Sequence, residues 1–363
     1  MPTPLPIPAD RPLRLAVVGL GQIAELVLPT YLERDDVVIV GLCDRDEDQL
    51  AIWHARCPEA TATTSLDELL TLGADVVDVL VPTPVHAEVV EQVFSAGYHV
   101  QVQKPLARDL AGAERMLAAR EASGATLRVL EDYLFFPPLV KMRDLIAAGE
   151  IGDPVSVHMK IVATGRGGWD LPERSMRWQF EQMLDGRGMM VFDHGWHQLA
   201  VASWLFGPIR RVFAWLGETE IVPGIVMDAP STLIWEHENG VRAVLEISFA
   251  IDMYFRSSHY TGDERIEVTG KRGYARTNRI SAQGVQEPAV LLYRDGETRE
   301  FHDLDDRPPD AFRASTAHAL DFYRGAVTDP VMGPEESRHV LTALLAALES
   351  HRLGHAVDVG ARH

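Results

Sequence analysis

The sequence has few cysteines and no long hydrophobic run. Cys43 and Cys57 are its two cysteines in 363 residues, and such a pair forms neither a disulfide framework nor a metal-ligand spacing. No stretch approaches the roughly 18 apolar residues of a membrane span, and the proline-rich residues 1–12 lack the apolar core of a signal peptide. We therefore expect a protein of the reducing cytoplasm without a membrane partner.

Basic residues are also scarce. The chain has 34 Lys and Arg against 53 Asp and Glu, a net charge of −19. Nucleic acids and anionic membranes bind to basic faces, so neither is an expected partner. Apolar residues make up 46% and charged residues 24%, as in ordinary globular proteins. The length exceeds that of one typical core, which predicts two domains.

A glycine-rich turn follows the first apolar run. Residues 13–18 are typical of a buried strand, and Gly19, Gly21 and Ala24 come directly after it. Gly19 permits a tight turn, Gly21 has no Cβ to obstruct a pyrophosphate, and Ala24 lets a helix pack on the strand. The free N–H groups of that helix favour a diphosphate, so the turn predicts a dinucleotide site.

Asp44 indicates which dinucleotide is bound. It directly follows the second predicted strand, 20 residues beyond Ala24, where an acid meets the ribose hydroxyls. A 2′-phosphate about 4 Å from this carboxylate would be repelled by roughly 1 to 4 kcal/mol, so NAD is the predicted cofactor. Arg45 would offset part of that repulsion, which leaves NADP as the alternative.

Strand and helix patterns alternate up to about residue 130, which predicts a doubly wound parallel sheet of the Rossmann type. The predicted strands are 13–18, 37–43, 60–63, 76–81, 98–102 and 126–130. Helices are predicted between them, including 65–72, capped by Ser65 with Glu68 as its capping-box partner, and 87–95.

The pattern changes after residue 130. Apolar residues alternate over Val241–Ile251, which predicts a strand with one buried face. Further strands are predicted near 210–218, 231–237, 265–269 and 289–293, a long loop at 164–188, and helices at 191–205, 311–326 and 335–350. We thus expect a mobile arm (1–12), a Rossmann domain (13–132) and an α+β domain (133–363) with a large, open-faced, mostly antiparallel sheet.

Six short motifs extend over nearly the whole chain. They are Gly19–Ala24 (GLGQIA), Val81–His86 (VPTPVH), Gly97–Leu106 (GYHVQVQKPL), Glu131–Pro138 (EDYLFFPP), Gly149–Pro154 (GEIGDP) and Asp193–His197 (DHGWH). Together they resemble the glucose–fructose oxidoreductase/inositol dehydrogenase/rhizopine-catabolism (Gfo/Idh/MocA) family. This resemblance implies a Rossmann domain, a second α+β domain, and reversible oxidation of a sugar or cyclitol alcohol by NAD(P).

The chain departs from the family pattern in four respects. Gln103 replaces the glutamate before the family's lysine, Leu134 stands where an arginine is frequent, and Ala200 replaces a frequent acid. The glycine run before the aspartate–histidine motif is reduced to Gly186 and Gly188. Gln103 and the sequence around Asp193 resemble the branch that contains D-apiose dehydrogenase.

Three residues are predicted to be catalytic. Lys104 follows a predicted parallel strand, at the edge where such sheets bind ligands, and its ammonium would polarise a hydroxyl. Asp193 and His197 are four apart on a predicted helix, so they share a face, and imidazole transfers protons near neutral pH. The residues leave open whether Lys104 or His197 is the base; our hypothesis is His197, supported by Asp193.

The resemblance and the local patterns extend both binding sites. The predicted cofactor-binding residues are Gly19, Gly21, Gln22, Ile23, Asp44, Arg45, Pro82, Thr83, His86, Gln103 and Lys104. The predicted substrate-binding residues are Lys104, Glu131, Arg177, Trp178, Asp193 and His197. His194 adds a second histidine to the motif, but two histidines and one acid are a short ligand set, so no metal is predicted.

Three functions are compatible with these residues. The first is an NAD-dependent dehydrogenase of an aldose, including oxidation of its anomeric carbon to a lactone, or of a related polyol. The second is a glycosidase that retains NAD and acts through transient oxidation and elimination. The third, a regulator that binds NAD without catalysis, is disfavoured because Lys104, Asp193 and His197 occur together. The one-faced strand also predicts a homodimer or homotetramer.

Overall fold

The computed structural model describes residues 2–168, 179, 181, 187–260, 262–278 and 287–360. It contains two compact units. The first comprises the chain up to Glu131 together with Phe312–Leu341, and the second comprises Asp132–Ala311 together with the chain from Thr342. Residues 312–341, which the sequence analysis places in the second domain, thus belong to the first unit.

The first unit contains a six-stranded parallel sheet in the order β3-β2-β1-β4-β5-β6. Its strands are β1 Leu13–Val18, β2 Val37–Cys43, β3 Thr61–Thr63, β4 Val76–Val79, β5 His99–Gln103 and β6 Leu127–Leu130. The helices between them are α1 Ala24–Leu32, α2 Glu47–Arg56, α3 Leu66–Leu69, α4 His86–Ser95 and α5 Leu110–Ser123. The strand order reverses between β1 and β4, which places a crevice at their carboxyl ends. The predicted Rossmann sheet is confirmed.

Local signals explain where these elements begin. β4, β5 and β6 are buried along their whole length, as expected for strands covered on both faces. Ser65 caps α3 by accepting the Glu68 N–H, as predicted. The Glu68 carboxylate instead accepts a hydrogen bond from Thr63, so the reciprocal half of the predicted capping box is wrong.

A buried polar row crosses the first sheet. Asp78 pairs with Gln101, and Gln101 with Arg128, on adjacent strands. The Gln101 amide donates to the Asp78 carboxylate at 3.1 Å and accepts from Arg128 at 2.7 Å. Arg128 also donates to the Ser315 hydroxyl and to the Pro330 carbonyl, both at 2.8 Å. This row joins residues from the 312–341 segment to the sheet.

The amino-terminal segment is packed against the first unit. The Ile7 side chain is buried, and its N–H donates to the Tyr323 carbonyl at 2.8 Å. The Thr3 hydroxyl donates to the Asp75 carboxylate at 2.8 Å, and the Thr3 carbonyl lies 2.6 Å from His99 Nε2. Thr3 and Ile7 thus have partners within the first unit, and the mobility of residues 1–12 stays a prediction.

The second unit contains a nine-stranded sheet in the order β16-β15-β14-β13-β7-β12-β11-β8-β17 and a β9–β10 pair. β7 and β12 are parallel, and the other described neighbours are antiparallel. The strands are β7 Pro154–Gly167, β8 Ile209–Leu216, β9 Thr219–Val222, β10 Ile225–Met227, β11 Ser231–His237, β12 Arg242–Phe255, β13 Gly262–Gly270, β14 Gly273–Thr277, β15 Val290–Arg294, β16 Glu297–Phe301 and β17 Val357–Asp358. The predicted large, mostly antiparallel sheet is confirmed.

The helices after residue 132 lie between or beside these strands in the chain. They are α6 Pro137–Ala147, α7 Gly195–Phe206, α8 Pro308–Tyr323 and α9 Pro334–Leu353, with a π-helix at Met189–His194. α8 and α9 each contribute residues to both units. No described helix has the length and apolar character needed to cross a membrane.

The predicted alternation of β12 holds over part of its length. Ala243, Leu245 and Ile247 are buried, whereas Ile251 is 42% exposed. β7 shows the same period of two, and it continues to Gly167. The predicted loop at 164–188 is therefore wrong at its beginning, which is strand.

Candidate active site

The turn after β1 contains two glycines, and glycine is needed at each of them for a different reason. Gly19 has φ +94°, and a Cβ there would lie 2.7 Å from the Leu80 carbonyl carbon and 2.8 Å from the Val81 nitrogen. The chain's own backbone thus requires Gly19. A Cβ on Gly21 would meet nothing within 4 Å among the described residues. Gly21 leaves open space where a pyrophosphate is expected.

Asp44 lies beside this turn. Its carboxylate accepts the Leu20 N–H at 2.6 Å and the Asp46 N–H at 2.9 Å. The Leu20 carbonyl in turn accepts from the Trp53 indole at 3.2 Å. These bonds fix the acid at the carboxyl end of β2, where the ribose of a dinucleotide binds. Arg45, next to it, is exposed.

His86 joins two turns at the carboxyl edge of the sheet. The side chain is buried, with Nε2 2.8 Å from the Val81 carbonyl oxygen and Nδ1 3.0 Å from that of Pro105. Thr83 is buried before it, and Pro82 is exposed. The contacts give His86 a structural role in holding the Lys104–Pro105 turn. Its contact with a cofactor stays a prediction, as do those of Pro82 and Thr83.

Gln103 ends β5, and Lys104 follows it at the same edge. Gln103 is buried, and its Oε1 accepts the Lys104 N–H at 2.7 Å. Its Nε2 has no hydrogen-bond partner within the part of the chain that the structure describes. A buried amide donor without an acceptor is costly, so it fits a ligand that supplies an oxygen there. Together with the open space at Gly21, it shows that this edge fits NAD.

A second group of candidate residues begins at the π-helix. The Asp228 carboxylate accepts the N–H groups of Met190 and Val191 at 2.8 and 2.7 Å. A Cβ on Gly188 would lie 1.9 Å from that carboxylate, so a larger residue before the helix would displace the Asp228 side chain. Burial raises the pKa of Asp228, although the two N–H donors act in the opposite direction.

The helix that carries Asp193 and His197 is not a continuous α-helix. Asp193 lies in the π-helix, and its N–H donates to the Gly188 carbonyl at 3.3 Å. His197 lies in α7, which begins at Gly195. The prediction of an α-helix over 191–205 is wrong for its first turn, so α-helical spacing does not place the two side chains. Single π turns are frequent at functional sites.

The His197 ring lies on an aromatic platform. Both His197 and Tyr133 are buried, with ring centroids 4.0 Å apart and planes at 21°. The His194 ring contacts it edge-on at 5.6 Å. A carboxylate oxygen of Asp132 and a ring nitrogen of His197 lie within 4.8 Å of each other. Imidazole held in this way is suited to proton transfer.

Glu264 on β13 lies beneath this platform. Its buried carboxylate accepts a hydrogen bond from the Tyr133 hydroxyl at 2.6 Å. It also hydrogen-bonds the His194 ring and the Gln198 amide. Burial alone would raise its pKa, but the His194 charge and the hydrogen bonds from His194 and Tyr133 outweigh it, and the pKa of Glu264 is lowered. The carboxylate is therefore ionised at neutral pH.

The structure distributes the predicted residues over both units. The turn and strand-end residues Gly19, Gly21, Gln22, Ile23, Asp44, Arg45, Pro82, Thr83, His86, Gln103, Lys104 and Glu131 belong to the first unit, and Asp193 and His197 to the second. The predicted substrate-binding Arg177 and Trp178 lie outside the described residues.

Sequence reasoning missed Tyr133, Asp228 and Glu264. A signal for Glu264 existed, since this acid shares the inward face of β13 with Ile266 and Val268. An acid on the core face of a strand is a buried polar group that needs partners.

Two known protein families match the chain, one in the first unit and one in the second. Residues 13–131 match the family described as "Oxidoreductase family, NAD-binding Rossmann fold", and residues 139–276 match the "GFO/IDH/MocA C-terminal domain". D-apiose dehydrogenase of Paraburkholderia graminis is 29% identical over 268 residues, which cover 74% of this chain and 67% of that protein.

Solved structures show the same fold. An oxidoreductase from Agrobacterium radiobacter, in complex with NAD+, L-tartaric acid and magnesium, has a TM-score of 0.82 at 19% identity, over 96% of this chain and 98% of that chain. The WlbA dehydrogenase of Bordetella pertussis, in complex with NADH and UDP-GlcNAcA, has a TM-score of 0.79 at 20% identity, over 97% and 100%.

Proposed function

Because the chain belongs to the GFO/IDH/MocA family of NAD-binding oxidoreductases, we propose that it oxidises a hydroxyl of an aldose or related polyol. When bound, NAD would supply the hydride acceptor for the carbinol carbon. The hydroxyl proton leaves to the protein, and the C–O bond becomes a carbonyl. The observation that carries the proposal is the buried, aromatically supported His197, in a chain whose first unit holds Lys104 at the carboxyl edge of the sheet.

The predicted residues act on the hydroxyl, hold the cofactor or contact the sugar, and Lys104 does the first two. Lys104 hydrogen-bonds the reacting hydroxyl and stabilises the developing alkoxide. His197 accepts the proton, and Asp193 supports the resulting cation. Gly19, Gly21 and Asp44 hold the cofactor through its pyrophosphate and ribose, with Gln22, Ile23, Arg45, Gln103 and Lys104 beside them. Glu131, Arg177 and Trp178 contact the sugar.

The likeness to D-apiose dehydrogenase supports an aldose. We propose oxidation at the anomeric carbon, which gives a lactone, as the first reaction to test. A panel of aldoses, polyols and aryl glycosides of the aldoses with NAD, followed at the NADH absorbance, identifies the substrate class. Stoichiometric NADH supports the proposal. Aglycone release without net NADH would instead show the glycosidase, and binding of NAD without turnover would show a regulator.

Two substitutions test the roles. Lys104→Ala and His197→Ala should each lower kcat by about 100-fold or more, because a positioned proton-transfer group contributes that much. Lys271→Ala and His302→Ala, which remove exposed side chains of the same types, are the matched controls and should leave kcat unchanged. Near-normal turnover in either test variant removes that residue from the mechanism.

The open face of the second sheet supports a homo-oligomer, which we propose as a homodimer or homotetramer. Trp215 on β8 is 64% exposed and Ile234 on β11 is 43% exposed. The Phe213 ring contacts Trp215 edge-on at 4.6 Å. Exposed apolar side chains on one face favour association. Light scattering at micromolar concentration should give a molecular mass that is a multiple of 40.2 kDa. The variant Trp215→Asp should have a lower molecular mass in the same measurement.

Both cysteines support a location in the reducing cytoplasm, which we propose. Cys43 and Cys57 are free and buried. Burial raises the pKa of the Cys43 thiol to about 11, so it stays protonated and unreactive. Fractionation of the source cells, with detection of this chain, tests the proposal.

A further inference from the structure

The platform under His197 is itself anchored. The Tyr133 ring that stacks on the imidazole lies in a short helical turn, Tyr133–Phe135, beyond β6. Stacking fixes the separation of two rings but resists sliding only weakly. The Tyr133 hydroxyl donates to the Glu264 carboxylate at 2.6 Å, and this bond stops the platform from sliding.

The same carboxylate holds the chain on both sides of His197. His194 precedes it by three residues and Gln198 follows it directly, and both side chains hydrogen-bond Glu264. A carboxylate offers about four lone-pair sites, so one group can accept from Tyr133, His194 and Gln198 together. Glu264 thereby connects three elements around one imidazole: the turn at Tyr133, the end of the π-helix and the start of α7.

Core packing alone does not account for an acid at this position. Ile266 and Val268 occupy the same inward face of β13 with apolar side chains. A buried carboxylate is costly unless donors compensate it, and here three donors converge on it. The chain keeps a group whose bonds all lead to the surroundings of His197.

We propose that Glu264 is a positioning residue that holds the His197 imidazole in one orientation for proton transfer, by fixing Tyr133 and the beginning of α7. This inference rests on the proposed function, in which His197 accepts the substrate proton.

Glu264→Gln is the main test variant. Glutamine keeps the shape, but its NH₂ group faces donors, so at least one of the three bonds is lost. With the aldose or polyol that turns over fastest, kcat should fall by about 10- to 100-fold, the cost of misplacing a catalytic group, while KM for NAD stays unchanged. Glu267→Gln, on the opposite face of the same strand, is the matched control and should keep the wild-type kcat.

Tyr133→Phe separates positioning from packing. It retains the ring that stacks on His197 but removes the hydroxyl that reaches Glu264. The kcat should fall by a smaller factor than in Glu264→Gln, and the double variant should be no slower than Glu264→Gln alone, because both changes break one connection. If Glu264→Gln does not fold, Tyr133→Phe decides the question, since an unchanged kcat there overturns the proposal.

The imidazole also gives a readout without substrate. In full-length protein labelled with ¹⁵N-histidine, the signals lost in His197→Gln identify His197. These signals should move toward the average of the two tautomers in Glu264→Gln, and stay in place in Glu267→Gln. Unchanged signals and kcat in Glu264→Gln, with a low kcat in His197→Ala, overturn the positioning role alone. A normal kcat in His197→Ala would instead overturn the proposed function.

Discussion

The turn after β1 and the turn before the π-helix are built alike. Each has a glycine with no room for a Cβ, Gly19 in the first and Gly188 in the second. Each has an aspartate carboxylate that accepts two backbone N–H groups, Asp44 in the first and Asp228 in the second. The first turn leaves open space at Gly21, whereas the second fixes the π-helix that carries Asp193, for which we propose a catalytic role.

The obstacle at each glycine is different. Backbone atoms of Leu80 and Val81 block a Cβ on Gly19, whereas a side-chain carboxylate blocks one on Gly188. The Leu80 N–H donates to the Val18 carbonyl at 2.7 Å, so this backbone is held in place, whereas a side chain can rotate. A methyl group added at Gly19 should therefore lower the free energy of unfolding by more than one added at Gly188.

Gly19→Ala should have the largest effect. The residue has φ +94°, which is unfavourable for alanine, and its Cβ would contact immobile backbone. We expect a loss of about 3 kcal/mol or more in the free energy of unfolding, measured by urea denaturation. Gly21→Ala is the control from the same turn. It should keep the wild-type stability and weaken NAD binding by about tenfold or more, since its methyl group occupies the ligand space.

Asp44→Asn tests whether the carboxylate of the first turn selects the cofactor. Removal of the charge should lower the ratio of kcat/KM for NAD to that for NADP by between about fivefold and several hundredfold, as expected from repulsion of a 2′-phosphate. Asp48→Asn, which removes an exposed charge from the nearby α2, should leave the ratio unchanged. Equal ratios for wild type and Asp44→Asn would show that Asp44 acts on the turn alone.

Gly188→Ala and Asp228→Ala test the second turn together. A methyl group on Gly188 forces the Asp228 carboxylate away, so both variants lose the bonds to Met190 and Val191. Each should cost about 2 kcal/mol of stability, as for the loss of a helix cap, and lower kcat through His197. The double variant should cost no more than one single variant. Additive costs in urea denaturation would show that glycine and aspartate act separately.

The contrast between the turns also explains which parts the sequence predicts. Gly19, Gly21 and Asp44 follow buried strands at fixed spacing, so the fold of the first unit and its cofactor edge can be predicted from local patterns. Asp228 and Glu264 hydrogen-bond residues about 40 and 70 positions away. Local sequence patterns do not predict such distant partners. The same holds for the packed amino-terminal segment, whose contacts with Asp75 and Tyr323 depend on tertiary structure.

A third aspartate, in the middle of a strand, provides a contrast to both turns. Asp78 accepts hydrogen bonds from the side chains of Tyr31 and Gln101. Its other oxygen, Oδ1, has no hydrogen-bond partner within the described ranges. Burial raises the pKa of Asp78 to about 6, although the bonds from Tyr31 and Gln101 and the charge of Arg128 act against it. An acid whose pKa is raised by folding binds more protons in the folded state, so it favours folding more as the pH falls.

Asp78→Asn should remove this pH dependence. As the pH falls from about 7 to about 5, wild-type Asp78 takes up a proton, and wild type should gain about 1 kcal/mol of unfolding free energy relative to the variant. Above about pH 7 the carboxylate is ionised and the difference between the two proteins should be constant. Urea denaturation of both proteins across this range measures the difference, in which the contributions of other titrating groups cancel. A difference that does not change with pH, or that changes in the opposite direction, would show that Asp78 stays ionised across this range.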